Sequence, residues 1–193
     1  MNLYEVKGMG TMTFDASQDM EEILYTKKEL AEIVQRLGQK ITEDYQGEEI
    51  LAICILKGAS IFFADLVRQI QLPVQLDFMQ ISSYGSSTTS SGEIKIHLDL
   101  GQSVAGKNVI IVEDIVDSGL SMHYLMGNFK QRNAKSVKLC ALLSKPSRRQ
   151  VEVQVDYCGA EIPDAFVVGY GLDYAQRYRN LPYLGVLKPV VYA

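Results

Sequence analysis

Cysteine is scarce in this chain: Cys54, Cys140 and Cys158 are the only three in 193 residues, with no CxxC spacing. An odd number, each among apolar neighbours, predicts small buried thiols in a reducing compartment rather than a paired framework. The two histidines, His97 and His123, have no ligand-like spacing and are expected to be structural. No apolar run approaches the ~18 residues a bilayer crossing requires. The opening MNLYEVKGMG lacks a basic region leading into an apolar core, so no signal peptide is expected, and the expected location is the cytoplasm. Positive charge is not in excess: the formal net charge of -4 weighs against a nucleic-acid binder, which normally presents a basic surface. The Walker pattern GxxxxGK(S/T) is missing, which removes the P-loop NTPases. No internal repeat is visible.

What is present suits one globular domain. Hydrophobic residues make up 47% and charged residues 22%, near the soluble average, and this length can bury one core. Thr26-Lys27-Lys28-Glu29 reads as a capping box before a helix to about Tyr45, with Leu30, Ile33, Val34, Leu37 and Ile41 at helical spacing. Ile50 to Ile55, Val109 to Val112 and Val137 to Leu143 are apolar runs of the kind found in strands covered on both faces. Leu56-Lys57-Gly58-Ala59 reads as a turn, and Ser60 is expected to cap a helix carrying Phe62, Phe63, Leu66, Val67 and Ile70. Pro73 ends that region, and Val74, Leu76 and Phe78 alternate into a strand to about Ile81. A polar loop, SSYGSSTTSSG at 82–92, and a half-exposed strand from Glu93 to Leu98 follow. A helix is expected from about Gly119 to Gln131, and short strands near Phe166–Tyr170 and Tyr183–Leu187. The segment before Thr26 has no assignable pattern.

This order predicts an α/β fold, a mainly parallel twisted sheet flanked by helices. Ligands of such sheets bind at the carboxyl ends of the strands. The loops 56–59, 113–121 and 144–149 all follow buried strands and are expected on one rim. The middle one carries the chemistry, within NVIIVEDIVDSGLS at 108–121. Asp117-Ser118-Gly119-Leu120-Ser121 lies between a strand and a helix, where free backbone N–H groups, two hydroxyls and the helix dipole suit a phosphate. Glu113 and Asp114 would repel that phosphate, but they suit the hydroxyls of a diol or a Mg²⁺ ion. A ribose 5-phosphate satisfies both halves.

These residues resemble the signature of the type I phosphoribosyltransferases, and most closely that of the hypoxanthine-guanine members. Supporting stretches are ILKGASIFFADL at 55–66, SSYGSSTTSSG at 82–92, VIIVEDIVDSGLS at 109–121, LLSKPSRR at 142–149 and IPDAFVVGYGLDYAQRYRNLPYLGVL at 162–187. The resemblance implies a single domain over 1–193, with a core at about 26–150 and a small hood from about 1–25 and 151–193. It implies Mg²⁺-dependent purine salvage, in which a 6-oxopurine base and 5-phosphoribosyl 1-diphosphate give IMP or GMP and pyrophosphate. A homodimer or homotetramer is implied, with no nucleic-acid or membrane partner.

Residue by residue, the resemblance makes Glu113 and Asp114 the ribose and Mg²⁺ acids. It assigns Asp117, Ser118, Gly119, Leu120 and Ser121 to the 5′-phosphate. Asp117 is also the implied general acid/base at purine N7. Leu56, Lys57 and Gly58 become the pyrophosphate loop, with a cis peptide between Leu56 and Lys57, and Arg179 also neutralises pyrophosphate. Lys145 donates to the purine O6, Phe166 stacks on the base and the backbone of Val167 reads its edge. Asp173 reaches the base site and a second Mg²⁺, and Ser83 and Tyr84 belong to a lid over the reacting centre. Ala59 stands where relatives often carry Gly or Ser, and Leu120 where several carry lysine. The alternative is a regulator that senses phosphoribosyl nucleotides without catalysis, because a fold does not dictate function.

Overall fold

A computed structural model of the chain describes residues 16–83 and 94–192. Six strands form the large sheet in the order β4-β3-β2-β5-β6-β7, built from β2 (Ile50–Leu56), β3 (Val74–Ser83), β4 (Ile94–Leu98), β5 (Asn108–Val116), β6 (Ser136–Ser144) and β7 (Tyr157–Glu161). All neighbours are parallel except β3 and β4. The α/β expectation holds, and the reason is visible in β2. Ala52 and Cys54 face α1 (Lys27–Asp44) and α2 (Ser60–Val67), while Leu51, Ile53 and Ile55 face α3 (Leu120–Gln131). A strand with helices over both faces has no room for a polar residue.

The capping box at the start of α1 is present: Thr26 Oγ1 accepts from the Glu29 N–H at 3.3 Å, and the Glu29 carboxylate accepts from the Thr26 N–H at 2.8 Å. Leu30, Val34, Leu37 and Ile41 are then buried. The second helix departs from expectation. Ala59 is its N-cap, already in right-handed helical conformation, and Ser60 makes no capping bond. The Ser60 N–H instead donates to the Lys57 carbonyl at 3.1 Å, so the preceding turn runs straight into the helix. That helix ends at Val67, before Ile70.

The remaining differences come from pairing at long range. β5 continues to Val116, so Glu113 and Asp114 are strand residues and not part of a loop. Glu113 pairs with Ala141 and Val116 with Ser144. β1 (Met20–Tyr25), β8 (Val167–Val168) and β9 (Leu184–Leu187) form a second, three-stranded antiparallel sheet in the order β1-β9-β8. β8 is shorter than the expected Phe166–Tyr170 piece because Gly169 and Tyr170 turn away with φ of 99° and 46°. β7 joins the large sheet although it lies in the stretch expected to build the hood. A short helix, α4 (Pro189–Tyr192), closes the chain. Cys54 and Cys140 are buried and Cys158 half-buried, all unpaired. Among the described residues, no helix is long and apolar enough to cross a membrane.

Candidate active site

The carboxyl ends of β2 and β5 and the turn before α3 line one cleft of about 420 Å³. A second pocket of about 240 Å³ continues from it, lined by Lys145, Phe166, Val167 and Leu172. Asp114, Ile115, Asp117 and Asp173 border both. The expected shared rim is therefore a two-part site with Asp117 at the junction.

The acid pair forms the floor. The Glu113 carboxylate accepts from the Asp114 N–H at 3.0 Å, and that of Asp114 accepts from the Ile115 N–H at 2.6 Å. Burial, with the charge of Asp114 beside it, pushes the Glu113 carboxyl well above its ordinary range. Burial also raises Asp114, against the opposing pull of its hydrogen bonds and of Arg179. Two acids that resist ionising together are prepared for a cation or for hydroxyl donors.

The loop after β2 holds a cis peptide between Leu56 and Lys57, as the resemblance implied. Leu56 and Gly58 line the cleft, while the exposed Lys57 side chain reaches Gln176 Oε1 at 3.4 Å. Arg179 is beside them, bonded to Asp173 at 2.7 Å and to the Gly171 carbonyl at 2.7 Å. Asp173 also accepts from the Gln176 N–H at 2.8 Å. Among the described residues Glu113, Asp114 and Asp173 do not converge into a three-acid metal cage.

Gly119 starts α3 with φ of 83°, a left-handed conformation glycine adopts without strain. Ser118, Gly119 and Ser121 line the cleft, whereas Leu120 does not. Asp117 Oδ1 is 3.3 Å from Arg148 Nε, and Arg148 Nη1 is 3.2 Å from Asp164. Lys145 is only 9% exposed and donates to the Ala165 carbonyl at 2.7 Å, with Asp164 at 3.7 Å. Phe166 is stacked on Tyr192 at 4.8 Å and meets the edge of Tyr174 at 5.7 Å. Ser83 ends β3, and Tyr84 with the rest of the expected lid lies outside the described residues.

Residues without a motif of their own complete the site. Arg148, Asp164 and Tyr192 act across the fold on Asp117, Lys145 and Phe166, and only the basic turn LLSKPSRR hinted at Arg148. His97 and His123 lie elsewhere, against the Ser82 hydroxyl and the Glu152 carbonyl.

A model of the phosphoribosyl transferase domain matches residues 20–175. The chain belongs to the phosphoribosyl transferase family. A hypoxanthine-guanine phosphoribosyltransferase of Bacillus subtilis is 54% identical over 174 residues, which cover 90% of this chain and 97% of that one. A bifunctional TilS/HprT protein of Listeria monocytogenes is 50% identical over 91% of this chain, which spans 27% of its length. A crystal structure of a hypoxanthine phosphoribosyltransferase from Staphylococcus aureus superposes with a TM-score of 0.91 at 42% identity, covering 94% of this chain and 99% of that chain. The two-part cleft of this phosphoribosyl transferase thus lies at the strand ends of a shared scaffold.

Proposed function

We propose that this phosphoribosyl transferase is a Mg²⁺-dependent hypoxanthine-guanine phosphoribosyltransferase of purine salvage. The observation that carries the reading is the position of Asp117 between the acid-floored cleft and the pocket of Lys145 and Phe166. A sugar in the first part and a base in the second meet beside that carboxylate. Purine N9 bonds to C1 of the ribose as the bond from C1 to pyrophosphate breaks. The proton on N7 passes to Asp117.

Glu113 and Asp114 hold the ribose hydroxyls, the turn Asp117–Ser121 holds the 5′-phosphate, and Leu56, Lys57, Gly58 and Arg179 hold the departing pyrophosphate. Lys145 donates to O6, Phe166 stacks on the base with Tyr192 supporting its ring, and Val167 reads the base edge through its backbone. The acid pair has the oxygen donors a hard cation takes, so Glu113 and Asp114, with substrate oxygens, would hold one Mg²⁺, and Asp173 would reach a second through water. Bound Mg²⁺ would supply positive charge to offset that of the departing pyrophosphate. Ser83 and Tyr84 are assigned to a lid that excludes water.

The same reading treats the chain as one domain with a hood over a core. It expects a homodimer or homotetramer, for which exposed Leu76 and Phe78 on β3 offer an apolar face. Two fully buried, unpaired thiols suit the cytoplasm. A non-catalytic regulator has no need of the Lys145–Phe166 pocket, which favours the enzyme. The test mixes the protein with Mg²⁺, 5-phosphoribosyl 1-diphosphate and single purines. Nucleotide is expected from hypoxanthine and guanine, and product from adenine alone would overturn the reading.

A further inference from the structure

Arg149 sits directly behind the turn 117–121 and is not part of the cleft lining. Its Nη1 donates to the Asp117 carbonyl at 2.7 Å and its Nη2 to the Ser144 hydroxyl at 2.8 Å. Both acceptors are neutral and the residue is half-buried. Among the described residues no carboxylate is within ion-pair distance of it, whereas its neighbour Arg148 is paired with both Asp117 and Asp164. A cation partly withdrawn from water without a counter-ion is unfavourable unless an anion arrives. The turn lacks positive charge of its own. Glu113, Asp114 and Asp117 are acids, and Leu120 brings none.

The backbone points the same way independently. The Ser118 carbonyl accepts from the N–H groups of Gln150 at 2.9 Å and Val151 at 3.3 Å. The carbonyls of Asp117 and Ser118 are thereby both directed at residues 149–151. In a trans peptide the N–H points opposite to the C=O, so the N–H groups of Ser118 and Gly119 face away from that segment. Ser118 and Gly119 both line the cleft. A cationic donor on the Asp117 carbonyl polarises that peptide and strengthens the Ser118 N–H as a donor. The packing leaves little freedom, since a methyl group on Gly119 would stand 2.9 Å from the Val151 carbonyl and 3.0 Å from Arg149 Cδ.

We infer that Arg149 is a positioning residue of the phosphate site: from behind the turn, it aims the Ser118 N–H and supplies the positive charge that the turn lacks. The inference rests on the assignment of 117–121 to a 5′-phosphate. It is tested by titrating IMP and inosine, which differ by that phosphate, into wild type, Arg149→Met and Arg149→Lys, with a melting curve for each. Arg149→Met is expected to weaken IMP on the order of 10-fold, as one unit charge near the anion is removed, and to leave inosine unchanged. Arg149→Lys keeps the charge but not both hydrogen bonds and is expected to lose less. In turnover, KM for 5-phosphoribosyl 1-diphosphate rises while KM for hypoxanthine stays.

A folded Arg149→Met protein with the wild-type preference for IMP over inosine overturns the inference alone. Wild type binding the two ligands alike overturns the phosphate assignment, and the inference with it. If Arg149→Met does not fold, Arg149→Lys decides: selective weakening of IMP supports the role, and equal effects on both ligands overturn it.

Discussion

The Asp114 carboxylate rests against the α-carbon of Gly58, so closely that a methyl group on Gly58 would overlap Oδ2. The loop proposed to hold pyrophosphate and the acid floor are therefore held in one geometry. In Gly58→Ala either the loop lifts or Asp114 turns. Misplacement of a reacting group by about 1 Å costs about 100-fold in rate. A fall of that size in kcat/KM for 5-phosphoribosyl 1-diphosphate is expected, with the melting temperature little changed. Wild-type kinetics would show that this contact carries no function.

Glu113 gives a prediction of opposite signs for stability and activity. Its carboxyl is raised in the folded protein by burial and by Asp114. The fold therefore binds that proton more tightly than the unfolded chain does. The associated stability is present below the ordinary value of 4.5 and is lost as pH rises toward the folded value. In metal-free buffer at neutral pH, Glu113→Gln is expected to melt at a higher temperature than wild type, with the gap closing below pH 4.5. Turnover should fall. A variant less stable than wild type at pH 7 would contradict the burial argument.

The elements legible in the sequence are those whose pattern is complete within a few residues. Ile50 to Ile55 had to be a doubly covered strand, and the acids ending β5 had no structural need to be there. β1 and β7 were not legible because MEEILY and YCGAE become strands only through partners far along the chain, Leu184–Leu187 and Cys140–Ser144. The site divides in the same way. Glu113, Asp114 and the turn after them form one local motif, and Lys145 and Phe166 came from the family resemblance. The contacts of Arg148 and Arg149 with residue 117 exist only once β5 and β6 lie side by side.

Lys145 is expected to set the preference for an oxo group over an amino group. It is almost buried, and its ammonium has donors but no acceptor. Lys145→Gln should lower kcat/KM for hypoxanthine about 10- to 100-fold, the effect of losing a charged hydrogen bond. Any trace rate with adenine should not fall in parallel. An unchanged ratio between the two bases would move the specificity determinant elsewhere.

The thiols differ in reactivity by position. Burial pushes Cys54 up to about 12 and raises Cys140 further, while Cys158, raised by burial and by Glu161 against the pull of Arg36 and Arg149, is only half-buried. At pH 8 an alkylating reagent should label the native protein first at Cys158, and all three sites only after unfolding. Mass spectrometry of tryptic peptides reads the order. Early labelling of Cys140 would mean that the strand pairing between β6 and β7 opens readily.

Asp117 is the decisive substitution, because its carboxylate is engaged by Arg148 and borders both parts of the cleft. Asn keeps the size and a hydrogen-bonding oxygen but cannot take a proton from N7. Loss of a general base costs typically 10²–10⁴-fold, so Asp117→Asn should lower kcat by about that much with only modest change in either KM. Pyrophosphorolysis of IMP should fall by the same factor, since the reverse reaction returns the proton through the same group. Were the role of Asp117 only to start α3, the loss would appear in melting temperature and both KM values, with kcat preserved.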